Sequence, residues 1–265
     1  MHISNRLSQL IRDKHPAVGL WINLCDPAVA QISALASYDW VMIDTEHNPF
    51  TEVQVQGLLH ALGGFDVSAI VRVRANREEH IKWVLDTGAG GVVIPAVRDA
   101  EDARYAVKIS KYHPLGMRGY GPNRASGFWS YKQYTARANQ DILLICQIEL
   151  ASAVADIDQI CQVPGIDGFW IGTGDLSQSL GHIENPKHPE VQTAIDTIIE
   201  SLIRHSKPWG IPTAIVKDYE HYVKRGGTLM TLGSDTRILK TGATELVASA
   251  RQIVAQNVPG CQSRV

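Results

Sequence analysis

Four short stretches carry residues that could do chemistry. "VMIDTEHNPF" (41–50) runs from apolar positions into Asp44, Glu46 and His47. "SAIVRVR" (68–74) carries Arg72 and Arg74, two apart and so on one face of a strand. "ILLICQIE" (142–149) ends in Gln147 and Glu149 with the same spacing, and "IGTGDLS" (171–177) holds Asp175 and Ser177. Thr213, Ser234 and Asp235 end two later runs. Each residue has a plainer role open to it. Asp175 could cap a helix, Glu149 could begin one, Arg72 could pair structurally, and His47 could bond a backbone carbonyl. Convergence of all of them at one place is harder to explain that way. So many buried polar groups are costly unless they satisfy one another or bind something.

The chemistry such a set permits is specific. Glu149 and Asp175 are hard oxygen ligands. Two carboxylates from adjacent strands, with positions left open, suit Mg²⁺ or Mn²⁺. No cysteine or second histidine joins them, which argues against a zinc cage. A metal held that way can chelate a 2-oxo acid through its carboxylate and keto oxygens and stabilise a developing enolate. Arg72 adds a fixed positive charge where the enolate oxygen forms. His47 is the natural general base, since imidazole titrates near neutrality. Asp44, three residues earlier, is expected to orient its ring. Together these groups could make or break a carbon–carbon bond next to a 2-oxo acid.

The elements that must position them alternate. Eight β-rich runs, 17–24, 40–46, 68–74, 90–95, 142–149, 166–172, 207–214 and 228–235, are nearly continuous in apolar residues, as parallel strands covered on both sides are. Helical patterns lie between them, such as "TEVQVQGLLHAL" and "DAEDARYAVKIS". "LDTGAGGVVIP" (85–95) is a helix stopped on glycine and followed by a strand. The alternation predicts an α/β fold, a single (β/α)₈ barrel over 1–265, with chemistry at the C-terminal ends of the strands. A doubly wound sheet is the alternative, but no GxGxxG follows the first strand. The stretch 111–141, with "GMRGYGPNRASGFW", interrupts the alternation and reads as a long functional or intersubunit loop.

Bulk properties narrow the partners. Of 265 residues, 45% are apolar and 20% charged, enough for a large core. A net charge of −2 without a basic block makes nucleic acid a poor partner. No apolar run is long enough to span a membrane, and the amphipathic, charged start is unlike a signal peptide. A cytoplasmic protein is expected. Cys25, Cys146, Cys161 and Cys261 lie far apart and read as reduced thiols.

The ordered set "GLW" (19–21), "DWVMIDTEH" (39–47), "IVRV" (70–73), "LDTGAGGVVIP", "GMRGYGPNRAS" (116–126), "QIE" (147–149) and "IGTGDLS" resembles the HpcH/HpaI aldolase family of metal-dependent class II pyruvate aldolases. The resemblance runs from near residue 17 to about 240. It implies a phosphoenolpyruvate/pyruvate-type barrel that reversibly cleaves a 4-hydroxy-2-oxo acid to pyruvate and an aldehyde. Oxaloacetate decarboxylation, or other carboxylated-enolate chemistry, is the alternative at the same site. The implied roles are His47 as base, Arg72 on the enolate, Glu149 and Asp175 on a divalent cation (Mg²⁺, Mn²⁺ or Co²⁺), and Gln147 and the Gly174 N–H on the substrate. Asp86 is implied to support the histidine of a neighbouring subunit. The assembly implied is a trimer or hexamer, in which the C-terminal helix could be exchanged between subunits.

Two departures from the family pattern stand out. Where the family reads G-P-x-D-L-S, this chain has Gly172, Thr173, Gly174 and Asp175, which loosens the loop. Arg74 stands where relatives often carry proline or a small residue. It would either favour an acidic substrate tail or pair with a carboxylate such as Glu46.

Overall fold

The computed structural model describes residues 5–258. Its nine strands form one parallel sheet: β1 (Ala17–Ile22), β2 (Trp40–Asp44), β3 (Ser68–Arg72), β4 (Gly91–Ile94), β5 (Leu143–Ile148), β6 (Gly168–Ile171), β7 (Trp209–Gly210), β8 (Pro212–Thr213) and β9 (Leu229–Ser234). The strand order is β7-β6-β5-β4-β3-β2-β1-β9-β8. The seventh expected strand is therefore two pieces. β7 pairs with β6, β8 pairs with β9, and the chain changes partner at Ile211. Pro212 has no N–H to donate there, so a continuous ladder is broken at that point. Because β7 and β8 are contiguous, the sheet comes round to a nearly closed (β/α)₈ barrel.

The helices are α1 (Arg6–Arg12), α2 (Pro27–Leu35), α3 (Glu52–Leu62), α4 (Glu78–Asp86), α5 (Ala100–Ser110), α6 (Tyr134–Asp141), α7 (Ala151–Ala155), α8 (Ile157–Cys161), α9 (Thr173–Ser179), α10 (Pro189–Arg204), α11 (Val216–Lys224) and α12 (Asp235–Asn257). Local signals start and stop them. Asp26 and Asp99 cap α2 and α5, and Thr51 with Gln54 forms a capping box on α3. The glycine stop read in "LDTG" is real: Gly88 takes φ +95° just past α4, a conformation glycine adopts without steric cost. The expected loop 111–141 is shorter, because residues 134–141 form α6.

Two apolar layers hold the barrel. Val41, Ile43, Val71, Val92, Leu144, Phe169 and their neighbours pack outward against the helices. A second cluster contains Ala17, Trp40, Met42, Ile70, Val93, Leu143, Ile145, Trp170 and Leu229, which alternate with the first set and so point inward. α1 closes the floor. Leu7 joins the inner cluster, and Asn5 Nδ2 donates to the Gly90 and Asp141 carbonyls at 2.6 and 2.7 Å. α12 differs from the other long helices. Only Asp235 in it is buried, and Leu239, Leu246 and Ile253 stand exposed one heptad apart. Among the described residues no helix is long and apolar enough to cross a membrane. Cys25, Cys146 and Cys161 are free thiols, while Cys261 lies outside the described residues.

Candidate active site

The inward parity continues past the apolar layer into charge. Asp44 follows Trp40 and Met42, Arg72 follows Ile70, and Gln147 and Glu149 follow Leu143 and Ile145. Register sets Asp44 beside Arg72 on adjacent strands. All four lie at the C-terminal ends of their strands, and all four are buried.

Arg72 is the hub. Its Nε and Nη2 donate to Asp44 Oδ1 and Oδ2 at 2.9 and 2.8 Å, a bidentate fork. Its Nη1 lies 3.0 Å from Glu46 Oε2, and its guanidinium stands 4.6 Å from the centre of the Trp21 ring. Burial raises the Asp44 carboxyl, but the bonds and charge of Arg72 and the Glu46 N–H outweigh it and hold the group below its ordinary range. Glu46 goes the other way. Burial pushes it up to about 7 against the Arg72 charge, and the nearby charges of Asp44 and Asp175 push in the same direction.

Asp44 makes no contact with the His47 ring; its carboxylate accepts from Arg72, the Glu46 N–H at 3.1 Å, Asn48 Nδ2 at 3.0 Å and, at 3.5 Å, the His47 backbone N–H. The carboxylate near the imidazole is Glu46, with Oε2 3.8 Å from His47 Nε2, and the ring is 59% exposed at the rim. Arg74 makes no ion pair with Glu46: its Nη2 donates to the Phe50 carbonyl at 2.7 Å.

Glu149 is enclosed on the opposite wall. Oε1 accepts from the Ala96 N–H at 2.7 Å, and Oε2 accepts from Gln147 Nε2. A Cβ at Gly172 would collide with this carboxylate, so only glycine lets the loop after β6 pass so close. Burial pushes Glu149 up to about 7, with Asp175 and Glu46 adding like charge. Asp175 sits in the first turn of α9, whose N-cap is Gly172, so it is not the cap. Its carboxylate has no hydrogen-bond partner among the described residues. Gly174 lies in the same turn, ahead of the first helical bond from Leu176 N to the Gly172 carbonyl at 3.0 Å. A Cβ at Gly174 would meet nothing within 4 Å, so the space beside its Cα is open.

Asp86 lies elsewhere. As the last residue of α4, which returns from the mouth, it is at the floor of the barrel. There Arg118 Nη2 donates to its Oδ1 at 2.7 Å. The loop 111–133 joins α5 to α6 and β5 at that same end. Neither can reach the mouth of its own chain.

Sequence reasoning gave no role to Trp21, Asn48 or Gly172. Trp21 could have been found from its parity with Ala17 on β1. Asn48 and Gly172 carried no signal short of three-dimensional contact.

Four carboxylates, Asp44, Glu46, Glu149 and Asp175, with Arg72 paired to the first two, lie at the C-terminal mouth of a parallel barrel, the end at which enzymes of this fold carry their chemistry. The chain belongs to the HpcH/HpaI aldolase/citrate lyase family, whose model matches residues 17–241. It is 36% identical over 248 residues to a 4-hydroxy-2-oxo-heptane-1,7-dioate aldolase of Klebsiella pneumoniae, covering 93% of this chain and 94% of that one. It is also 36% identical to a hydroxypyruvate/pyruvate aldolase of Deinococcus radiodurans, covering 93% and 90%. The crystal structure of a family member from Burkholderia cenocepacia superposes with a TM-score of 0.90 at 30% identity, over 94% of this chain and 100% of that one.

Proposed function

We propose that the protein is a divalent-metal-dependent class II aldolase that reversibly cleaves a 4-hydroxy-2-oxo acid to pyruvate and an aldehyde. The observation that carries this reading is the charge imbalance at the mouth. Glu46 and Glu149 each feel the negative charge of Asp175, Arg72 is the buried cation paired with Glu46, Asp175 has no hydrogen-bond partner among the described residues, and Gln147 Oε1 is buried without a hydrogen bond. That donor set fits Mg²⁺, Mn²⁺ or Co²⁺ held by Glu149 and Asp175. When bound, such a cation supplies Lewis-acid stabilisation of the negative charge that develops on the substrate's C2 oxygen.

The chain's own residues do the rest. Gln147 and the Gly174 N–H orient the 2-oxo acid. His47 takes the proton of the C4 hydroxyl, the C3–C4 bond breaks, and its electron pair moves toward the C2 oxygen. The Arg72 guanidinium, fixed by Asp44, faces the charge that forms there without having to reorganise. A proton delivered to C3 then gives pyruvate. Asp86 serves the His47 of a second copy, in a trimer or hexamer whose contacts cover the apolar face of α12. The floor position of Asp86 supports that reading, since it excludes a role at its own chain's mouth.

Exchange of pyruvate C3 protons with solvent deuterium, with Mg²⁺ or Mn²⁺ and then with chelator, tests the reading. Metal-dependent exchange is expected, and its absence would sink the assignment. Rates on oxaloacetate against pyruvate plus aldehyde separate cleavage from decarboxylation.

A further inference from the structure

Away from the reaction centre, the connection between α9 and α10 gathers a second set of ligand atoms. The stretch "HIENPKHPE" (182–190) supplies His182, His188 and Glu190. Each places one ligand atom within 4.8 Å of the other two. His182 Nε2 lies 2.7 Å from Glu190 Oε2. The two imidazoles stack, with ring centroids 3.4 Å apart and planes 17° from parallel.

The backbone holds these side chains together. His182 N donates to the Ser177 carbonyl at 2.7 Å, Asn185 N to the His182 carbonyl at 3.0 Å, and His188 N to the Asn185 carbonyl at 3.0 Å. Two successive turns therefore lead from one ring to the other. Gln192 Nε2 donates to the Pro186 carbonyl at 2.7 Å, and Pro189 presets the first turn of α10.

An ion pair between His182 and Glu190 would need no second histidine. His188 does cap α10, accepting the Glu190 N–H at Nδ1, but that bond is long, at 3.3 Å, and does not require its ring to lie on His182. Like charges this close repel, so a stacked pair of imidazoles suits neutral rings, the form in which histidine binds a metal.

We propose that His182, His188 and Glu190 form a second metal site, for Zn²⁺ or another cation that favours imidazole, on the rim of the barrel. Its donors differ in kind from the oxygens at the mouth, so the two sites select different ions. Zinc bonds of about 2.0–2.2 Å set neighbouring ligand atoms of a tetrahedral ion about 3.4 Å apart. Reaching that spacing takes a tilt of one ring, whose last torsion is soft, and a shift of the Glu190 side chain, which is 60% exposed. The metal takes the place of the proton between His182 Nε2 and Glu190 Oε2. Either nitrogen of His188 can bind at the loss of no more than its one long bond. Water completes the coordination. The ion clamps the loop behind α9: Ser177, whose carbonyl holds His182 N, is buried and donates from Oγ to the Gly174 carbonyl at 2.7 Å, in the turn that carries Asp175.

The test counts Zn²⁺ bound per chain by equilibrium dialysis of untagged protein stripped with chelator. Glu149→Ala removes the mouth site, so one equivalent should remain on this background, and adding His182→Gln or Glu190→Gln should abolish it. The wild type should bind two equivalents, and His182→Gln alone should bind one. Co²⁺ on the Glu149→Ala background should give visible bands of a nitrogen-ligated ion, lost with His182→Gln. Glu149→Ala protein that takes up no Zn²⁺ would overturn the proposal without any change in the cluster itself, so a poorly folded cluster variant could not conceal that result. Zn²⁺ uptake unaltered by both cluster substitutions would overturn it equally. The site uses none of the residues of the aldolase reading, so the zinc count and deuterium exchange at pyruvate C3 fail separately.

Discussion

Lys111 at the floor of the barrel and Arg72 at its mouth are both buried cations, 1% and 4% exposed at the side chain. Their surroundings differ. Lys111 Nζ donates to the carbonyls of Asn139 and Ile142 at 3.0 and 2.7 Å and to Asp167 Oδ2 at 2.7 Å, so its three protons are used. Arg72 is gripped by Asp44 and paired with Glu46, and the mouth also holds Glu149 and Asp175, which have no ion-pair partner among the described residues. A buried charge that is fully satisfied ties elements together. A group of buried charges left unbalanced is arranged for something that arrives from outside. The comparison also disposes of a Schiff-base mechanism through Lys111, which is at the wrong end and has no free proton site.

The largest separations between the two ends should come from Glu149 and Lys111. Glu149→Ala should lower aldol cleavage by on the order of 10³-fold. Its urea midpoint in chelator at pH 8 should be no lower than that of the wild type, because a carboxylate that burial disfavours has been removed. Activity retained in full would break the metal assignment. Lys111→Met should do the reverse. Removing one partner of a buried pair costs about 3–5 kcal/mol, read as a lower urea midpoint, while kcat of the folded fraction stays at the wild-type value. A large fall in kcat at unchanged stability would erase the contrast between floor and mouth.

The barrel and the mouth were legible because both follow from parity. Alternation along β2, β3 and β5 puts Asp44, Arg72, Gln147 and Glu149 on the inner face whatever their neighbours are, and glycine and capping residues mark where helices stop and start. Pairing within the mouth was not legible. Asp44 and His47 are close in sequence, but the chain turns after β2, which sends the ring to the rim and leaves Glu46 nearer to it. The split of the seventh strand followed from Pro212, a signal present in the sequence and not used. The floor position of Asp86 needed only the direction of α4. Gly172 against Glu149 and Asn48 between Asn23 and Asp44 are contacts between distant segments, and no local pattern encodes them.

Arg72→Lys sharpens the comparison at an intermediate size. Lysine keeps the charge but cannot fork onto both Asp44 oxygens while also facing Glu46. A loss in kcat of about 10²-fold is expected, with KM for the 2-oxo acid little changed, since fixed orientation rather than charge alone is removed. Equal activity would mean that Arg72 serves only to neutralise its neighbours.

The smallest expected effect is a pH dependence of stability in chelator. Glu46 has its carboxyl raised from an ordinary 4.5 to about 7 in the fold, by burial first and then by Asp44 and Asp175. Between those values the folded protein holds a proton that the unfolded chain has lost. Stability from this group is therefore present below pH 4.5 and falls as pH rises to about 7. Glu149 is shifted in the same direction, so both contribute to the slope. Glu46→Gln should flatten part of that fall, measured as urea midpoints from pH 5 to 8. A Gln variant that follows the wild-type slope throughout would show that Glu46 titrates as an ordinary surface carboxylate. The proton would then belong to Glu149 alone, and the charge imbalance at the mouth would be smaller than its geometry implies.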